Sequence, residues 1–155
     1  MSVTISFLGG ADTVTGSKYL IEHNHRRLLV DCGLFQGYKQ LRLRNWAPLP
    51  VVPAQLDAVV LTHAHLDHSG YIPLLVREGF DRTIHATPGT LDLCKVLLPD
   101  SGHIQEEDAA FANRHGFSKH APALPLYTRQ DAIDSLGTFH TEPYGAWFEP
   151  IRGLS

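Results

Sequence analysis

Asp57-Ala58-Val59-Val60-Leu61-Thr62 runs without a break into His63-Ala64-His65-Leu66-Asp67-His68-Ser69-Gly70. The first half sets Ala-Val-Val-Leu between polar ends, the pattern of a short strand buried on both faces. The second half packs three imidazoles and a carboxylate into six positions. Imidazole nitrogen and carboxylate oxygen are the donors that borderline divalent ions such as Zn²⁺ prefer, and side chains leaving a strand converge where the turn redirects the chain. The stretch therefore predicts a metal-binding turn at the C-terminal end of a buried strand, with room for two neighbouring ions. A histidine-rich surface loop explains one isolated imidazole, but not this density directly after such a strand.

Working outward, Val3–Leu8 alternates apolar Val3, Ile5 and Phe7 with Thr4 and Ser6, a strand with one buried face, and Gly9-Gly10 marks a turn. Lys18–Glu22 and Arg27–Asp31 are short aliphatic runs joined by the hairpin-length His23-Asn24-His25-Arg26. Downstream, Tyr71–Glu78 reads as a helix stopped by Gly79, followed by a strand near Thr83–Ala86. Thr87-Pro88 reads as a cap and first turn opening a helix over Gly89–Leu98. Ser101–Arg114 reads as a further helix ending at His115-Gly116, and Thr128-Arg129-Gln130-Asp131 resembles a capping box opening a helix to Leu136. Strands are expected at Phe139–Thr141 and Trp147–Ile151. Strands alternating with helices make the class α/β, a mixed sheet flanked by helices.

The chain has 155 residues, 43% hydrophobic and 19% charged, which suits one compact domain and excludes disordered and collagen-like classes. Its longest aliphatic runs, Leu28–Val30 and Ala58–Leu61, fall far short of the roughly 18 apolar residues of a membrane span. Met1–Ser6 has no basic leader, so a cytoplasmic location is expected. The two cysteines, Cys32 and Cys94, are too few for a disulfide or all-cysteine metal framework and read as buried thiols. A net charge of −3 supplies no global field for a polyanion. Lys39, Arg42 and Arg44, with Arg26 and Arg27, can meet a phosphate backbone locally, although a solvated charged face explains them as well. A dinucleotide-binding oxidoreductase is set aside, because no Gly-x-Gly-x-x-Gly follows the first strand.

The His-x-His-x-Asp-His cluster resembles the signature of the metallo-β-lactamase fold superfamily. The resemblance implies that His63 and His65 hold one metal ion and Asp67 and His68 a second. It matches Asp31, in Leu29-Val30-Asp31-Cys32-Gly33, to a carboxylate bracing the site. Asp31, Asp67 and His68 are thereby the implied catalytic residues. Three further segments, Phe7–Ser17, Asp31–Gly37 and Asp100–Ala109, look like the β-CASP branch of RNA-processing nucleases. The implied fold is the N-terminal half of an αββα sandwich. The implied activity is phosphodiester hydrolysis of RNA by a metal-activated water, with two zinc ions in the intact family site and no membrane partner.

The family's remaining ligands come from a Gly-His motif, a later aspartate and a distant histidine. After His68 this chain offers only His85, His103, His115, His120 and His140, none in that context. His103, followed by Glu106, Glu107 and Asp108, is explained by an exposed acidic helical face. Residues 1–155 are therefore expected to form an incomplete catalytic domain, without the downstream ligand motifs and the β-CASP domain. Zinc should bind singly or weakly, since an under-coordinated site forfeits affinity. One sheet face should lack its cover and drive homo-oligomerisation. A thioester or lactam hydrolase of the same superfamily, or an inactive fragment binding metal or a partner, are the alternatives.

Overall fold

A computed structural model describes residues 2–155. Six strands, β1 (Val3–Gly9), β2 (Lys18–His23), β3 (Arg26–Val30), β4 (Ala58–Val60), β5 (Thr83–Ala86) and β6 (Phe139–Thr141), form one sheet in sequence order. The first three pair antiparallel and β3 to β6 parallel, giving the mixed sheet expected. The β2–β3 turn is two residues long, with Asn24 and His25 at φ of 48° and 63°. Positive φ at both positions matches the turn to the twist of the strands and fixes the register Leu20↔Leu29 and Tyr19↔Val30.

The helices are α1 (Lys39–Leu43), α2 (Leu66–Ser69), α3 (Ile72–Arg77), α4 (Pro88–His115) and α5 (Arg129–Ser135). Leu20, Leu29, Val59 and Ile84 point from the sheet into a core completed by Ile72 and Leu75 of α3, Cys94 and Leu98 of α4 and Ala132 of α5. Alternate residues face the other way: Ile21, Leu28, Val30, Ala58 and Val60 pack with Ile151 and Leu154 of a C-terminal turn. Val3, Ile5 and Phe7 share that second face by their pairing with His23, Ile21 and Tyr19, and are 54%, 54% and 66% exposed. The buried face expected of β1 is therefore exposed, whereas the same side of the sheet at β3 and β4 is covered by Ile151 and Leu154.

Two elements differ from the sequence reading. Gly89–Leu98 and Ser101–Arg114 are not separate helices but parts of the continuous α4, which runs through Pro99. Proline there removes one backbone donor, yet Leu98, Pro99, Ser101 and Gly102 are all buried, and packing keeps the helix running. Gly102 lies so close to the start of α5 that a Cβ would sit 2.7 Å from Thr128 O and Arg129 N. The strand expected at Trp147–Ile151 is absent: only an isolated bridge, Ile151↔Leu154, forms among the described residues there. Pro143 and Pro150 lack N–H groups for a ladder, and Gly145 at φ 74° turns the chain between them.

Cys32 and Cys94 are buried and unpaired. Burial pushes their thiols up to about 12 and about 11 respectively, so neither forms appreciable thiolate near neutral pH. Neither cysteine should react with Ellman's reagent at pH 8 in the folded protein, and both should react in denaturant. One equivalent of rapid labelling in the native state would contradict this.

Candidate metal centre

The end of β3 and the end of β4 lie side by side, and this parallel pairing assembles the site. Asp31 follows β3 with φ 58°, a left-handed turn that aspartate tolerates. Its N–H donates to Val60 O at 2.9 Å and its carboxylate is turned toward the segment after β4. Only 2% exposed, the carboxylate accepts from Thr62 N–H at 2.8 Å, and Thr62 Oγ lies 3.0 and 2.9 Å from its two oxygens. Oδ2 is also 2.8 Å from His68 Nδ1. A carboxylate can only accept, so this bond puts the hydrogen on Nδ1 and leaves the Nε2 lone pair open. That Nε2 lies 3.5 Å from Asp67 Oδ2.

His63 follows Thr62, its Nδ1 2.9 Å from the threonine hydroxyl. Its ring centroid is 4.0 Å from that of His68 and 4.8 Å from that of His65. Burial, reinforced by these two imidazoles, holds the His63 pKa below the usual histidine value. The shift favours the neutral ring, the form that binds a metal. The exposed His65 precedes α2, and its carbonyl accepts from His68 N and Ser69 N at 2.8 Å each. Buried Ser69 closes the turn, donating to Ala64 O at 2.8 Å.

Beneath the turn, residues 32–34 lie against 66–68 in a short ladder. Cys32 N donates to His68 O at 2.7 Å and Leu34 N to Leu66 O at 2.9 Å, while Ser17 N reaches Asp67 O at 2.9 Å. Lys18 anchors this ladder from below. Its side chain is 1% exposed, its Nζ donates to Gly33 O, and it stands 4.6 and 4.8 Å from the Phe35 and Tyr71 ring centroids. Burial lowers its pKa, and the carbonyl and the two aromatic faces replace the water it has lost. Sequence reasoning missed Thr62 and Lys18 as parts of this site. Thr62 carried a signal, its place between strand and cluster; Lys18 carried none, since tertiary closure alone buries it.

Asp31, His63, His65, Asp67 and His68 are therefore gathered at one end of the sheet. The other histidines are elsewhere. His85 and His140 lie on the second sheet face, with His85 Nδ1 2.7 Å from Glu142 Oε1 and its ring centroid 5.2 Å from that of Phe148, and His103, His115 and His120 are exposed. The gathered donors suit a divalent ion in kind, and the Asp31 bond presents His68 Nε2 for one. Among the described residues, however, no three His, Cys, Asp or Glu side chains are assembled as a ready ion-holding group.

The sequence model of the metallo-beta-lactamase superfamily matches residues 12–98. Ribonuclease TTHA0252 of Thermus thermophilus is 37% identical over 139 residues, covering 90% of this chain and 28% of the relative. Transcription termination factor FttA of Methanosarcina mazei is 39% identical over 103 residues, covering 63% and 16%, and that of Cenarchaeum symbiosum 31% identical over 150 residues, covering 92% and 20%. The chain thus spans less than a third of the length of these curated relatives. Among solved structures, MEM-A1, a subclass B3 metallo-beta-lactamase from a soil metagenome library, aligns with a TM-score of 0.49 at 17% identity, over 94% of this chain and 45% of that one. The family assignment rests on the sequence match, not on that alignment.

Proposed function

The chain belongs to the metallo-beta-lactamase superfamily, and on that premise we propose that it is the N-terminal part of a metal-dependent hydrolase of the β-CASP branch that cleaves RNA phosphodiesters. The observation that carries this reading is the Asp31–His68 bond, which aims a histidine nitrogen into a cluster of imidazoles and a carboxylate. Similarity to a ribonuclease and to termination factors supports RNA as the substrate class. His63 and His65 would hold one ion and Asp67 and His68 a second, with zinc the ion we assign. When bound, the ions supply Lewis acidity toward phosphate oxygen and a water acidic enough to act as nucleophile near neutral pH. Asp31 fixes the tautomer and aim of His68, and Thr62 holds Asp31 in place.

A second reading, metal or partner binding without turnover, draws on the lack of an assembled trio of ligands among the described residues. No described helix is long and apolar enough to cross a membrane. The likeness to a ribonuclease and to termination factors supports a cytoplasmic location. The bare face around Val3, Ile5 and Phe7 offers a second copy an apolar surface, and sedimentation across a concentration range reads whether it is used.

The test of function is cleavage of end-labelled single-stranded RNA by the chain supplied with Zn²⁺ or Mn²⁺. Cleavage lost in His65→Ala is the expected result. Hydrolysis of a thioester or a β-lactam in its place would refute the RNA reading, and metal binding with no hydrolysis would favour the second reading.

A further inference from the structure

Between the loop that follows Asp31 and the face of α4 lies an open groove of about 640 Å³. Leu66, the residue between His65 and Asp67, is part of its wall, so the groove opens beside the metal turn. Lys39, Arg42 and Trp46 line the loop side. What marks this wall is the clustering of cations that no carboxylate offsets. Arg26, Arg27, Arg77, Arg82 and Lys95 each face a carboxylate; among the described residues Lys39, Arg42 and Arg44 face none, nor do Arg114, Lys119, Arg129 and Arg152, but those four are scattered along the chain. These three unpaired cations fall within six residues of a chain whose net charge is −3. Exposed aromatics flank them, Tyr38 at 81% and Trp46 at 58% exposure, and Arg44 stacks on Phe35 at 4.1 Å.

Unpaired cations interleaved with exposed rings match a polyanion that carries stackable faces, which is single-stranded nucleic acid. The opposite wall sets its orientation. Helix α4 contributes apolar Leu97 and Ile104 together with Asp100 and Asp108, and these carboxylates repel phosphate from that side. The backbone is thereby confined to the loop wall and the bases turn inward. We propose that this groove binds the single-stranded RNA flanking the scissile phosphate, with Lys39 and Arg42 on its backbone and Trp46 stacked on a base. The assignment rests on the RNA reading above and adds where the strand runs.

The test is fluorescence anisotropy of a labelled oligouridylate of about twelve nucleotides with the 155-residue chain over a range of salt. The side chains to be changed are exposed and make no hydrogen bonds or ion pairs among the described residues, so unchanged melting of each variant is checked first. Lys39→Gln/Arg42→Gln should weaken binding by about tenfold or more and flatten the log–log salt slope by about 1.4, the release of two phosphate contacts. Trp46→Ala should weaken binding by about 5- to 150-fold with the slope unchanged. Wild-type binding that neither variant alters overturns the groove and leaves RNA as substrate. Wild-type binding displaced equally well by polyglutamate overturns the nucleic-acid assignment of the groove. A wild-type chain that binds no oligouridylate even at low salt overturns the RNA reading and the groove together.

Discussion

Gly33→Ala should unfold the turn that carries His65, Asp67 and His68. A Cβ at Gly33 would lie 1.6 Å from the Asp67 carbonyl oxygen, 2.0 Å from its carbon and 2.6 Å from His68 N. All three are backbone atoms of the motif itself, so no side chain can swing aside. Relief requires residues 32–34 to separate from 66–68, breaking the Cys32–His68 and Leu34–Leu66 bonds. The expected loss is about 3–5 kcal/mol, at the severe end for one methyl group. Urea denaturation measures it, with Gly137→Ala as the control. A Cβ added at Gly137 would meet nothing within 4 Å, and the backbone there has no left-handed φ, so that change should stay within about 0.5 kcal/mol. Equal stability of Gly33→Ala and wild type would show that the two segments are not in contact.

The second large effect is expected at Asp31. Replacement by alanine removes the acceptor for Thr62 N–H and the partner of His68 Nδ1 at one stroke. Leaving those groups without their charged acceptor should cost about 2–4 kcal/mol of stability. The metal consequence is separate: His68 is no longer held in one tautomer, and affinity should fall about 10- to 100-fold. Asp31→Asn separates the two effects. It keeps the shape, tolerates the left-handed backbone and can still accept from Thr62, so most stability should survive. It loses the carboxylate that orders His68, so metal affinity should still fall. Unchanged affinity in both variants would remove Asp31 from the site.

What is legible in the sequence is local. Alternation at Val3–Leu8, the short linker of the β2–β3 hairpin and the Thr128–Asp131 capping box each encode their conformation within a few residues, and all three elements form, although the apolar face of the first is exposed and not buried. The grouping of His63, His65, Asp67 and His68 is legible for the same reason, since one turn after one strand carries them all. Asp31 is reached through the family motif, and its contact with His68 spans 37 positions. What stays hidden depends on closure of the whole chain. Gly89–Leu98 and Ser101–Arg114 read as two helices on either side of Pro99; only the packing of Leu98 and Gly102 shows why α4 continues. Trp147–Ile151 reads as a strand, but Pro150 within it and Pro143 before it lack ladder donors. Lys18 reads as an ordinary polar strand residue and is instead among the most deeply buried side chains. The unpaired state of Lys39 and Arg42 is equally invisible, because a cation's partners lie anywhere in the sequence.

If the turn after β4 binds metal through His63, His65, Asp67 and His68, as we propose, zinc competition against a chromophoric chelator will detect it on the chain as it stands, with metal content read by elemental mass spectrometry. At least one zinc ion per chain is expected, lost in His63→Ala and in Asp67→Ala while the melting temperature stays near that of wild type. Absence of zinc from the wild-type chain, or zinc retained in full by both variants, would contradict the proposed site.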